Sequence, residues 1–143
     1  MERIICLAIG YLFGMFQTSY IIGKIHHMDI RQYGSGNAGT TNALRTLGKK
    51  AGAMTLIGDM LKCVIAILIV DAVFKNRYQE ILPLLGMYTA AGCVLGHNFP
   101  FYLGFRGGKG IAASAGMLLA MDWRVFLICA VIFIGLVLSL IHI

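Results

Sequence analysis

Residues 4–23 read IICLAIGYLFGMFQTSYIIG, twenty consecutive positions without a charged side chain. At about 1.5 Å of rise per residue, such a run covers the roughly 30 Å hydrocarbon core of a bilayer as one helix. The leader Met1-Glu2-Arg3 has no net side-chain charge and no small-residue cleavage site follows, so the stretch reads as a permanent span and not as a secretory signal. Four further apolar runs come after it. Ala51 to Phe74 is interrupted by Asp59, Lys62 and Asp71, and Ile81 to Phe105 is free of Lys, Arg, Asp and Glu. Gly110 to Met121 is short for a span, and Val125 to Ile143 ends the chain. These runs predict an all-α integral membrane protein, a polytopic bundle of about five transmembrane helices forming a single membrane domain over residues 1–143.

Composition agrees. Of 143 residues, 59% are hydrophobic and 13% charged, where soluble domains carry about 45–50% and about 25%. Mean hydropathy is +0.81. Two prolines, and 18 glycines without a three-residue period, exclude disordered and collagen-like chains. Twelve Lys and Arg against six Asp and Glu give +6, but these cations sit mostly between the apolar runs and form no nucleic-acid-binding face. Cys6, Cys63, Cys93 and Cys129 lie far apart, each in an apolar run, and read as small buried hydrophobes. Gly10 with Gly14, and Gly92 with Gly96, have the four-residue spacing that lets helices approach closely in lipid. Loops 24–50 and 98–110 hold seven Lys and Arg, against four (Arg3, Lys75, Arg77, Arg124) on the other side, which places both polar loops in the cytoplasm.

The first polar loop reads GSGNAGTTNALR (34–45), followed by Gly48-Lys49-Lys50. Gly34, Gly36 and Gly39 fit the dinucleotide pattern GxGxxG, but that fold needs a preceding buried strand, and Asp59, at the ribose-binding offset, lies in an apolar helix. The local signals predict a helix capped by Asn37 and stopped by Gly48, with Thr41 and Arg45 on one face and Asn42 beside them. Its glycine-flanked N-terminus, with free N–H groups and a positive dipole end, is suited to phosphate. A plainer reading is an interfacial helix whose Arg45 snorkels to lipid headgroups. Against it stands the density of oxyanion-binding side chains, Ser35, Asn37, Thr41, Asn42 and Arg45, within eleven residues.

The second loop reads GHNFPFYLGFRGGKG (96–110). A P-loop would need Gly at Leu103 and Ser or Thr at Gly110, so ATP hydrolysis is not supported. Gly107, Gly108 and Gly110 around Lys109, ahead of a helix starting near Ile111, still predict an anion-binding nest. Phe99, Phe101, Tyr102 and Phe105 read as an interfacial aromatic belt. His97 reads either as a helix-terminal histidine without chemistry or as a catalytic group. Asp59 and Lys62, at i and i+3 inside a span, are a functional pair or a mutually neutralised structural one, and the residues alone leave both open. His26, His27 and His142 carry no predicted role.

GSGNAGTTNALR (34–45), GHNFPFYLGFRGGKG (96–110) and GDMLK (58–62) together resemble the motifs of the bacterial acyl-phosphate-dependent glycerol-3-phosphate acyltransferases, the PlsY family. The resemblance runs from about Gly34 to Gly116. It implies a seven-helix enzyme of the bacterial cytoplasmic membrane that moves a fatty acyl group from acyl phosphate to the 1-hydroxyl of glycerol 3-phosphate. The product is lysophosphatidic acid, the first step of phospholipid synthesis, and no metal or other cofactor is implied. Carried over by motif, Ser35, Arg45, His97 and Lys109 are the catalytic candidates. Asn37, Gly39, Thr41, Asn42, Arg106, Gly107, Gly108 and Gly110 are the substrate-binding ones. Arg106 stands where the family has Lys, Cys63 where it has Gly, and Ala113 where it has Thr. The family continues for about two further helices and a third motif, so the chain is expected to be C-terminally shortened, and its activity alone stays open. The competing classes are a small transporter or binding protein for phosphate esters and a lipid-headgroup scaffold.

Overall fold

The computed structural model describes residues 1–141; His142 and the end of the fifth apolar run lie outside the described residues. Seven α-helices follow one another: α1 (Glu2–Gly14), α2 (Thr18–Ile25), α3 (Thr40–Leu47), α4 (Lys49–Phe74), α5 (Leu82–Asn98), α6 (Ile111–Met121) and α7 (Trp123–Ile141). Short 3-10 turns at Ile30–Gln32, Gln79–Ile81 and Phe101–Leu103 lie between them. Among the described residues there is no strand. Two stretches, Glu2–Ile25 and Lys49–Phe74, are long and apolar enough to cross a bilayer by length and composition.

The bundle is packed inside out relative to a water-soluble domain. Many of its buried positions are small or polar, such as Cys6, Cys63, Ala66, Ala90, Cys93 and Ala113 beside Gln17, Thr55, Asp59, Lys62, Thr89 and His97, with Ile30, Val70 and Leu85 among the larger side chains inside. Large aliphatics such as Leu12, Ile57, Leu68, Met87 and most of α7 face outward. Lipid is as apolar as leucine, so helices gain by close approach and polar pairing and not by hiding aliphatics. Cys129, on α7, is exposed, unlike the other three cysteines, because α7 packs mainly against α6 and shows its remaining faces outward.

The two glycine pairs meet each other. A Cβ on Gly10 or Gly14 would fall about 2 Å from the carbonyl oxygens of Thr89 and Cys93, and one on Gly92 or Gly96 about 2 Å from those of Leu7 and Tyr11. This seam makes α1 and α5 the most extensively packed pair in the molecule.

Two sequence expectations change. The run 4–23 is not one helix: it breaks at Met15–Gln17, where the Gln17 amide donates to the His97 carbonyl at 2.7 Å. The break frees the carbonyls of residues 14–16, and all three find donors. Lys62 reaches Gly14 and Phe16 at 3.1 and 2.6 Å, and the Tyr102 hydroxyl reaches Met15 at 2.7 Å. Irregular backbone at this depth is stable because it is buried against donors. Tyr102 is accordingly a structural donor as well as an aromatic at the interface. Second, Asn37 is not the helix cap. Gly39 takes that place, with its N–H bonded to the Asn37 carbonyl at 3.0 Å, while Gly48 ends α3 with φ +90° as expected. The short run 110–121 forms an eleven-residue α6 that starts at Ile111 as expected, and Asp122 then caps α7 through the Arg124 N–H at 2.8 Å.

Candidate active site

A cavity of about 240 Å³ brings the two polar loops together. From the first loop it is lined by Asn37, Gly39, Thr40 and Thr41, from the second by Lys109 and Gly110. Leu56 and Asp59 of α4, His97 of α5, the first residues of α6 and Phe133 of α7 complete the wall. The N-termini of α3 and α6 therefore open on one space. The first N–H groups of each helix have no intrahelical partner, and their dipole ends are positive. Lys109 adds a full charge. Such an arrangement suits an anion.

The buried end of the cavity is a polar cluster. Lys62 Nζ contacts Asp59 Oδ1 at 3.0 Å and His97 Nδ1 at 2.8 Å, in addition to the two break carbonyls. Thr18 donates to Asp59 Oδ1 at 3.0 Å, in space left by Gly58, where a Cβ would meet the Thr18 hydroxyl. Asp59 and Lys62 are thus joined as a pair, 1% and 4% exposed, and include His97 as a third member. Asp59 Oδ2 and Thr40 Oγ1 are buried without a hydrogen-bond partner among the described residues, both on cavity-lining side chains. Buried polar atoms left open in this way are the places where a ligand completes the bonding.

The remaining sequence candidates divide. Asn42 is a loop organiser and not a ligand donor, since its carboxamide accepts from the Ser35 N–H and donates to the Ile30 and Tyr33 carbonyls, each at 3.0 Å. Gly34, at φ +59°, gives that carboxamide its room. The N–H groups of Gly107 and Gly108 are also occupied, by the Asn98 and His97 carbonyls at 3.0 Å each, so they fold the loop back on α5. A Cβ on Gly108 would lie 2.0 Å from His97 Nε2, and one on Gly107 2.0 Å from the His97 carbonyl. Gly110, at φ +80°, caps α6 within the cavity wall.

Ser35, Arg45 and Arg106 are exposed and do not line the cavity. Of the two cationic catalytic candidates, Lys109 lines the cavity and Arg45 does not, so they do not share one space. Arg45 sits four residues beyond Thr41, about 6 Å further along an eight-residue helix whose other end faces the cavity. Sequence reasoning missed Gln17, Thr18 and Thr40. The signal for the first two was the polar triplet Gln17-Thr18-Ser19 inside an otherwise apolar run.

The two loops are tied together outside the cavity. Arg31 donates to the Leu103 carbonyl at 2.9 Å and to Asp29 Oδ2 at 2.7 Å. Hydrogen bonds from the Arg31 side chain hold the Asp29 carboxyl below the usual carboxylate range.

Residues 4–142 match the family described as Glycerol-3-phosphate acyltransferase. The chain is 53% identical over 133 residues to a glycerol-3-phosphate acyltransferase of Clostridioides difficile (strain 630), covering 92% of this chain and 64% of that protein. It is 46% identical over 140 residues to one of Lactiplantibacillus plantarum, covering 96% and 64%. The crystal structure of PlsY (YgiH), an integral membrane glycerol 3-phosphate acyltransferase, in its glycerol 3-phosphate form superposes with a TM-score of 0.81 at 34% identity, over 97% of this chain and 67% of that one. Its lysophosphatidic acid form gives 0.77 at 33%, over 95% and 65%. This chain thus spans about two thirds of the length of the relatives it matches. With the family match over residues 4–142, the sequence identities and the superposition in agreement, the chain belongs to the glycerol-3-phosphate acyltransferase family.

Proposed function

We propose that the protein to which this chain belongs transfers a fatty acyl group from acyl phosphate to the 1-hydroxyl of glycerol 3-phosphate, forming lysophosphatidic acid at the inner face of a bacterial cytoplasmic membrane. The observation that carries the reading is the single cavity that joins the GSGNAGTT and GGKG loops, with two helix N-termini and Lys109 facing it. The excess of Lys and Arg in those loops supports the inner-face orientation.

The chemistry suits such a site. An acyl phosphate is a mixed anhydride with a stable leaving group, so positioning and electrostatics supply most of the catalysis. The hydroxyl oxygen bonds to the acyl carbon, its proton passes to a substrate phosphate oxygen, the carbon–oxygen bond to phosphate breaks, and phosphate departs as the leaving group. Lys109 and the α3 and α6 amides hold phosphate oxygens. Thr40, Thr41 and Asn37 offer hydrogen bonds to the polar parts of the substrates, and His97 contacts them from the buried end. Ser35, Arg45 and Arg106 remain binding candidates on the adjoining loops.

The test is turnover by this chain within its complete reading frame, reconstituted in phospholipid with acyl phosphate and glycerol 3-phosphate. Lysophosphatidic acid is the expected product. Labelled glycerol 3-phosphate crossing the bilayer unacylated would overturn the assignment in favour of transport. Lys109→Met should lower kcat/KM by roughly 30- to 1000-fold, about 2–4 kcal/mol of transition-state stabilisation. A near-normal value removes Lys109 from the site.

A further inference from the structure

We propose that Lys62, seated on the break between α1 and α2, is a positioning residue that fixes His97 as a neutral imidazole with its hydrogen on Nε2, a hydrogen-bond donor into the cavity. The proposal rests on the reading of that cavity as the substrate site and adds the state in which its histidine works.

The argument is one of donors and acceptors. His97 Nδ1 has two neighbours that could orient the ring. A carboxylate partner would accept from an Nδ1–H and leave Nε2 free to act as a base. Asp59 Oδ1 is 3.9 Å away, beyond hydrogen-bond range, whereas Lys62 Nζ lies at 2.8 Å. The other three contacts of Nζ are oxygens that only accept: Gly14 O, Phe16 O and the Asp59 carboxylate. Three acceptors, one of them an anion, around one nitrogen hold it as ammonium, which shares its three hydrogens among four neighbours and has no lone pair to accept from an Nδ1–H. His97 Nδ1 is then an acceptor too, and the ring hydrogen must sit on Nε2. A second ring hydrogen on Nδ1 would set two cations 2.8 Å apart.

The backbone that carries the ring is fixed, and the ring has room beside it. Gln17 grips the His97 carbonyl, the Gly108 N–H bonds to the same carbonyl, and Gly108 leaves the space beneath Nε2 that any side chain would fill. Nε2 has no hydrogen-bond partner among the described residues, and His97 lines the cavity. The break in the first apolar run is therefore part of the site, since its freed carbonyls anchor the ammonium that sets the ring. With Nε2 carrying hydrogen, His97 steadies a substrate oxygen and does not take the proton of the attacking hydroxyl.

The experiment is ring nitrogen NMR on the chain labelled with 15N-histidine in lipid nanodiscs. Hydrogen on Nε2 and a bare Nδ1 at His97 are expected; hydrogen on Nδ1 overturns the proposal. Lys62→Met, with folding checked by the indole signal of the single tryptophan, Trp123, should turn the single tautomer into a mixture. An undiminished Nε2–H form in that variant overturns it. If Lys62→Met does not fold, Asp59→Asn decides. It leaves Lys62 on the two carbonyls and should keep the Nε2 hydrogen, and a switch to Nδ1 shows that Asp59 sets the ring. Added glycerol 3-phosphate tests the other reading separately: an unmoved Nε2 signal counts against the substrate site and leaves the tautomer result standing.

Discussion

Gly108 shows how a single missing side chain serves the site. Conformational freedom does not explain it, because its φ lies outside the left-handed region; proximity does, since a Cβ there would sit 2.0 Å from His97 Nε2 and 2.9 Å from the Ala38 carbonyl oxygen. Gly108→Ala should therefore displace the imidazole or the loop, and activity of the complete enzyme should fall by about two orders of magnitude or more, as expected when a hydrogen-bond donor is lost at a reacting centre. Unchanged kcat/KM would show that the ring has room to move. Asn42 illustrates the opposite case. From the sequence it looks like a ligand residue, since an amide beside Thr41 and Arg45 fits that role, yet its three hydrogen bonds fold residues 30–35 around it. Nothing local announces this, because the carbonyls it meets lie 9 and 12 residues away.

Among the helices, the α1–α5 seam rests on four glycines whose missing side chains let backbone touch backbone. Gly92→Ala should force α5 from α1 and cost about 1–3 kcal/mol as an overpacked interface, read as a lower thermal midpoint in detergent. Gly86→Ala is the matched control on α5, since its Cβ would meet only Ile67 Cγ2 at an ordinary 3.7 Å. It should leave the midpoint unchanged or slightly raised. Equal losses for the two would remove the seam as the cause, since helix propensity favours alanine at both positions. The four-residue spacings were visible in the sequence, but which pair faces which was not. The break at Met15–Gln17 was hidden for a similar reason: hydropathy counts side chains and does not see the donors that make free carbonyls tolerable.

Across the whole molecule, two loops far apart in the chain are held over one cavity. Arg31 bridges them, through Asp29 on its own loop and the Leu103 carbonyl on the other. Because folding lowers the Asp29 pKa, the pair contributes stability above the unfolded value of about 4 and loses it as pH falls through the folded value. An NMR titration of the Asp29 carboxyl should show a depressed midpoint that returns toward 4 in Arg31→Gln. The variant's thermal midpoint should also depend less on pH below about 4. Matching titrations in wild type and variant would remove Arg31 as the cause. The sequence by itself determined the class of solvent and the anion chemistry, because both are written in local composition: long uncharged runs, and glycines beside cations. Tertiary structure alone decided which polar groups are already spent on holding the chain and which remain open to a ligand. Hydrogen bonds saturate their partners, so the role of Asn42, Gly108 or Lys62 depends on neighbours that the order of residues does not name.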